Sequence, residues 1–495
     1  MSIHLKKYFI FLPCILFALL LIKACFFYIG LLIDTMEHLQ VAWMISNGKI
    51  PYLDFFEHHT PLLWYLLAPF TLLMEYNVYI IYAARFISLL SYFLCFLAMY
   101  FLIKNHLANK KIAQYSLLVL ILLPIWLSLV NLRPDSFMLL CQIMSLYCFY
   151  NYLDNRNKKQ LIFSYFLSTL SFLFLQKSLI FILCFGIGNI YLLYRKKCKL
   201  TDCLIASLYA VLPLFLYLIY LFYSNSLNNF FFYNFIFNIQ LNEYLHNASW
   251  CRHLFLYVLA LLILYIKFCK TNDKQIVLTI IIIGQAFSLY KFAPYTHYYI
   301  PYFVLVSVAM GWFIDKIFSK HIFKFYCLYF PLFLISLYVM NNRINKDSYN
   351  LSEFIDMSNY LMSDDIKNST VLNLANGCVF CSQPDFYWFG FDSILTMEYA
   401  YNAQRTNPLY LINKHRYKYI YKNISYPTIL KHSEWQAIMN RHLLQSATKS
   451  DNPQDYIQYI EPIKTDFWKI DNSVLEKNYI KIKNNSAGEI WKLKE

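Results

Sequence analysis

Between residues 34 and 59 the chain places four carboxylates, Asp34, Glu37, Asp54 and Glu57, and three histidines, His38, His58 and His59. Carboxylates can take a proton from a hydroxyl group or hold a divalent cation, and imidazole nitrogens can join either task. Asp34 stands three residues before Glu37, a spacing that also suits an acid capping a helix start. Capping and proton transfer are therefore both open to it. Asp54, Glu57 and His58 would share one face if residues 54–60 were helical, and that trio could bind a divalent metal. Pro61 follows so closely that a loop is an equal alternative. His38 on its own reads as an ordinary interfacial side chain rather than a ligand.

What must hold these groups is a membrane protein. Of the 495 residues 59% are hydrophobic and only 14% charged, where soluble domains carry about a quarter. Apolar runs long enough to cross about 30 Å of hydrocarbon recur along the chain. Spans are expected at 8–33, 78–103, 112–130, 135–153, 160–175, 178–194, 202–223, 253–269, 275–290, 298–314 and 321–340, eleven crossings in all. The first is too long for a signal-peptide core, and no small-residue cleavage pattern follows it. The net charge of +15 invites a nucleic-acid reading, which its distribution excludes. With the amino terminus in the cytoplasm, eighteen of the twenty-five Lys and Arg before residue 341 fall in inner loops, as the positive-inside rule requires.

Acids sort the other way. Of eleven carboxylates before residue 341, seven belong to the outer face: Asp34, Glu37, Asp54, Glu57, Glu75, Asp135 and Glu243. Cations approach the same face singly. Arg133 lies in "LRPDS", Lys177 in "LQKSL", and Lys291, His297 and Tyr298 in "KFAPYTHYYIPY", each at the outer end of an expected span. Arg85 falls about two turns inside one, where a cation usually marks function. Single cations at span ends often anchor to lipid, and Lys23 could simply snorkel. Several converging on an acid-rich loop, at headgroup depth, suit a substrate that is a lipid phosphate.

The first outer loop predicts an interfacial helix over "TMEHLQVAWMISNGK" stopping at Gly48, then a second helix begun by Thr60 and Pro61. The second, about 224–250, alternates aromatics and amides and is expected to lie flat on lipid. Composition turns polar near Asn341, and residues 341–495 are expected to form a small α/β domain outside the membrane, with a helix near 351–361 and strands at "TVLNLA", "HRYKYIYKN", "NYIKIKN" and "GEIWKLK". Most of the thirteen cysteines lie in or beside spans. Cys378 and Cys381, in "CVFC", could be a metal half-site, a redox pair or a structural disulfide. The absence of a second CxxC and the oxidising side of the membrane favour the disulfide.

Taken in order, "DTME", "GKIPYLDFFEHHTPLLWYLLAP", "LRPDS", "QKSLIF" and "HYYIPYFVL" resemble the bacterial GT-C glycosyltransferases. These are relatives of the dolichyl-phosphate-mannose protein mannosyltransferases and of the lipid A aminoarabinose transferase. The resemblance covers most of residues 8–340. It implies a polytopic helical GT-C fold and an enzyme that moves a hexosyl or pentosyl sugar from a polyprenyl-phosphate donor. The acceptor would be lipid A, another glycan or a protein at the outer face of the bacterial inner membrane. It also implies Asp34 as catalytic base; Glu37 is the second catalytic candidate, and Arg85, Arg133, Lys177, Lys291, His297 and Tyr298 are the candidates for the phosphate. Asp54, Glu57, His58 and His59 remain candidates for acceptor or metal, since relatives differ in metal dependence. A lipid-linked glycan flippase, or an O-antigen-type polymerase or ligase, is the alternative.

Overall fold

The computed structural model describes residues 3–28, 32–122, 124–239, 272–291, 296–318, 320–373, 378–382, 417–422 and 472–494. Helix α1 (Ile3–Phe27) ends earlier than the expected first span, and a separate helix α2 (Leu32–Ser46) starts just beyond it. Asp34 therefore sits inside the first turn of α2, not at a cap, where the helix dipole still favours its negative charge. The stop is as expected: Gly48 takes φ +80°, and the amides of Asn47, Gly48 and Lys49 close back on the carbonyls of Trp43, Ile45 and Met44.

Residues 50–60 form an irregular loop leading to α3 (Leu62–Leu73). Here the sequence misleads. Pro61, not Thr60, occupies the cap of α3, and the Thr60 hydroxyl instead donates to the Phe172 carbonyl at 2.9 Å.

Helices α4 (Ile80–Leu102), α5 (Lys110–Ile121), α6 (Pro134–Asn155), α7 (Lys158–Phe174), α8 (Ser178–Tyr194) and α9 (Leu200–Tyr223) follow. The expected span at 112–130 is α5 plus a 3-10 segment, Pro124–Val130. Beyond a short α10 (Leu227–Phe231) and a π-helical turn, Phe232–Phe237, come α11 (Asp273–Lys291), α12 (Ile300–Phe318) and α13 (Ile322–Leu361). Among the described residues, five helices are long and apolar enough to cross a bilayer: 80–107, 134–155, 200–223, 300–318 and 323–346. The span expected at 253–269 lies outside the described residues. At the end of the bundle away from α2, each acid of the expected inner loops meets a cation: Asp154 with Lys274, Asp202 with Lys158, Asp273 with Arg195 and Asp315 with Lys111.

Helix α13 runs 40 residues straight through the composition change near Asn341. Lys23 of α1 fastens it by donating to Asn341 and Asn345, both at 2.7 Å. Its last turns support a four-stranded sheet of order β1-β2-β4-β3, from β1 (Val371–Asn373), β2 (Tyr419–Lys422), β3 (Tyr479–Asn485) and β4 (Gly488–Leu493). Only β1 and β2 run parallel. Met357, Leu361, Val371, Tyr421 and Ile490 form the core between helix and sheet.

Candidate functional site

Apolar burial fixes the frame first. Met36, Leu39 and Trp43 of α2 pack with Trp64 of α3, Ile81 of α4 and Leu132 in one buried cluster, which lays α2 across the ends of the helices behind it. Hydrogen bonds then fix the register. Thr35 Oγ1 accepts from the Leu132 amide at 2.9 Å, and Ser88 on α4 donates to the carbonyls of Leu129 and Asn131, both at 2.8 Å. Pro134 opens α6, so the preceding Arg133 is extended (φ −147°, ψ 153°) and its side chain reaches back to α2.

The result is an acid–cation–acid constellation. Arg133 donates through Nη1 to Asp34 and through Nε to Asp135, the latter at 3.1 Å. Burial opposes the arginine charge, but Asp34 and Asp135 outweigh it and hold its pKa above the ordinary value. Lys177, immediately before α8, is fully within the same field. Its Nζ lies 3.1 Å from the centroid of the Tyr298 ring and makes no hydrogen bond. Burial, joined by the charge of Arg133 and opposed by Asp135 and Asp34, pulls its pKa down to about 7. A cation that is half discharged near neutrality and makes no hydrogen bond is poised to take an anion.

Next to it the loop 50–60 presents a second group. Glu57 is fully buried; its Oε1 accepts from the amides of His58 (2.7 Å) and His59 (3.1 Å) and meets His59 Nδ1 at 2.6 Å. Oε2 finds no donor of good geometry. Burial raises the pKa of Glu37, as do the charges of Glu57 and Asp34; Glu57 is raised too, again chiefly by burial, so the pair holds on to a proton. The three imidazoles stand in a row, with ring centroids 4.1 Å apart for His58 and His59 and 5.5 Å for His38 and His59. Burial and the neighbouring positive groups lower all three pKa values, leaving neutral rings. The Trp64 indole donates to His38 Nδ1 at 3.1 Å, which places the His38 proton on Nε2.

This loop is held by its carbonyls. His58 O accepts from Gln176 at 2.6 Å and from Asn238 at 2.9 Å, His59 O from the Tyr52 hydroxyl at 2.7 Å, and Tyr52 O from Asn229 at 3.0 Å. Aromatic edges of Phe230, Tyr233 and Phe237 close on Tyr52 and Phe56. The described part of the second long loop thus covers the acid loop instead of lying flat, because its amides find buried carbonyls there that lipid could not satisfy.

Several expected placements change. Residues 54–60 are not helical, and Asp54 is spent locally, accepting from the Ile50 amide at 2.6 Å. The group with metal-ligand spacing is Glu57, His58 and His59, whose donor atoms lie within 4.8 Å of one another. Arg85 is apart from the cluster: fully buried, it donates to Cys25 O at 2.9 Å and Ala24 O at 3.5 Å, serving the last carbonyls of α1. The side chains of Lys291 and His297 lie outside the described residues. Cys378 and Cys381 are bonded to each other. The sequence reading gave no site role to three participants: Asp135, named only as an outer-face acid, His38, read as an interfacial side chain, and Gln176, not singled out at all. Asp135 stands two residues from Arg133 in "LRPDS" and His38 follows Glu37 directly, the signals that could have placed them here.

The family described as dolichyl-phosphate-mannose-protein mannosyltransferase matches residues 58–223. No curated protein sequence matches the chain. Among solved structures, ArnT from Cupriavidus metallidurans bound to undecaprenyl phosphate superposes with a TM-score of 0.61 at 10% identity, covering 99% of this chain and 98% of that one. The same enzyme in its apo state gives 0.56 at 11% identity, over 86% and 95%. The oligosaccharyltransferase AglB from Archaeoglobus fulgidus, in complex with an inhibitory peptide and a dolichol-phosphate, gives 0.51 at 12% identity, over 86% and 70%. The chain is a multi-pass membrane protein with the fold of these GT-C glycosyltransferases.

Proposed function

We propose that the protein is an inverting glycosyltransferase that moves a sugar from a polyprenyl-phosphate donor to an envelope acceptor at the outer face of a bacterial cytoplasmic membrane. Asp34 is the base, and residues 341–495 lie on the same, extracytoplasmic side. One observation carries the reading: a carboxylate at the start of α2, a guanidinium bridging it to Asp135, and a lysine whose buried ammonium makes no hydrogen bond share one site.

The chemistry follows from those charges. A donor phosphate entering between Arg133 and Lys177 competes with Asp34 for the guanidinium and restores the proton of Lys177. Freed from its ion pair, Asp34 accepts the proton of the acceptor hydroxyl as that oxygen attacks the anomeric carbon. The bond to the phosphate oxygen breaks in the same displacement, inverting the centre, and Arg133 and Lys177 neutralise the departing polyprenyl phosphate. A divalent cation fits Glu57, His58 and His59, because the histidines are neutral, one ligand atom from each of the three lies within 4.8 Å of the others, and His58 Nδ1 is buried without a hydrogen bond. Bound there it would add positive charge toward the same phosphate.

Purified protein in vesicles, offered radiolabelled undecaprenyl-phosphate sugars and undecaprenyl-pyrophosphate oligosaccharides with envelope acceptors, tests this. Transfer from a monophosphate donor is the expected result. Transfer from pyrophosphate donors alone, or lipid flipping without transfer, contradicts it.

A further inference from the structure

Helix α2 has a second working face. Asp34, Glu37 and His38 turn to the acid cluster, whereas Gln40 and Trp43, one to two turns on, turn to residues 378–381. Gln40 Nε2 donates to the Cys381 carbonyl at 2.9 Å. The Phe380 ring meets the Trp43 indole edge-on at 5.9 Å and Tyr76 at 5.5 Å. Val379 and Phe380 are buried in the same apolar cluster as Met36, Leu39 and Trp43. Phe380 holds φ +64°, a conformation an aromatic residue adopts only when its surroundings impose it. The Cys378–Cys381 bond closes a four-residue ring around it.

We propose that this disulfide-closed loop is a positioning clamp, with Phe380 the residue that seats α2 and thereby sets Asp34 against Arg133. It rests on the reading above that α2 carries the base. A helix 15 residues long is stiff, so a grip on Gln40 and Trp43 fixes its first turn as well. The ring constrains the loop to present Phe380 in the left-handed backbone state, and the Gln40 bond sets its height along α2. Without the bond, the loop relaxes toward ordinary φ values and withdraws the ring from between Trp43 and Tyr76. The outer α/β segment therefore takes part in catalysis by holding the helix, without touching substrate.

Amide hydrogen exchange on the full chain in detergent tests the clamp. In a Cys378→Ser, Cys381→Ser double variant, and in Phe380→Gly, which keeps the backbone conformation but removes the ring, exchange across 32–46 should quicken by about tenfold or more. Phe380→Tyr, which retains the ring, should restore protection. Unchanged exchange across 32–46 in both altered proteins overturns the clamp, as does equal acceleration in α4 and α6. Undecaprenyl phosphate binding by the unaltered protein is measured alongside. Its absence counts against the glycosyltransferase reading, while the exchange data still judge the clamp.

Discussion

Raising the pH from 7 to 9 should weaken the binding of undecaprenyl phosphate steeply, and the size of the effect follows from Lys177. Its ammonium is buried without a hydrogen bond, and its pKa is held down to about 7. A folded-state pKa of that value leaves roughly half the molecules charged at pH 7 and about 1% at pH 9. If the phosphate requires the charged form, apparent affinity falls by about 50-fold, or ~2.3 kcal/mol. The phosphate itself titrates near pH 6, so it stays dianionic across most of this window. Stability moves the opposite way. The unfolded chain binds the lysine proton up to about pH 10.4, so between pH 7 and that value this group makes the fold more stable as pH rises. Discharge of Lys177 therefore does not itself unfold the protein, and a thermal unfolding midpoint recorded at each pH separates lost affinity from lost fold. Fluorescence titration with undecaprenyl phosphate in detergent gives the profile, and Lys177→Met supplies the control, binding weakly at all pH values with the slope removed. A flat profile for the unaltered protein between pH 7 and 9 refutes the role of Lys177.

Other consequences follow from the same geometry. Arg133→Met strands two carboxylates around a vacated buried position and should destabilise the fold by about 3–5 kcal/mol, read as a lower thermal unfolding midpoint; an unchanged midpoint contradicts the pairing. Zinc binding measured by calorimetry should be lost in a Glu57→Gln, His59→Gln double variant and retained in Asp54→Asn, since Asp54 is turned to the Ile50 amide. Gly48→Ala should cost about 1 kcal/mol of stability from its φ of +80° alone, because open space surrounds the added methyl group.

The sequence disclosed what local chemistry decides. Hydropathy placed α4, α6, α7, α8, α9, α11 and α12 within a few residues, Gly48 marked the end of α2, and period-two alternation found β2 and β3. It concealed what long-range packing decides. Thr60 looked like a cap until the Phe172 carbonyl, 112 residues on, took its hydroxyl. The composition change near Asn341 left no break because α13 passes from apolar packing against α1 to packing against the sheet without losing its helical hydrogen bonds. In the site, Asp34 and Arg133 were legible as types at span ends, but their pairing depends on Thr35 and Leu132 meeting across 97 residues. Arg85 looked equally functional by depth; only the position of α1 reveals that its charge is given to helix-end carbonyls.

Single-turnover transfer by Asp34→Asn is the most direct test of the central claim, because the substitution preserves shape and hydrogen bonding while removing basicity. Using whichever undecaprenyl-phosphate sugar the unaltered protein accepts, transfer should fall by roughly 10²–10⁴-fold. Affinity for undecaprenyl phosphate should hold or tighten, since Arg133 loses its competing carboxylate. Near-normal transfer by Asp34→Asn, or a loss matched by equally weakened lipid-phosphate binding, would contradict the account.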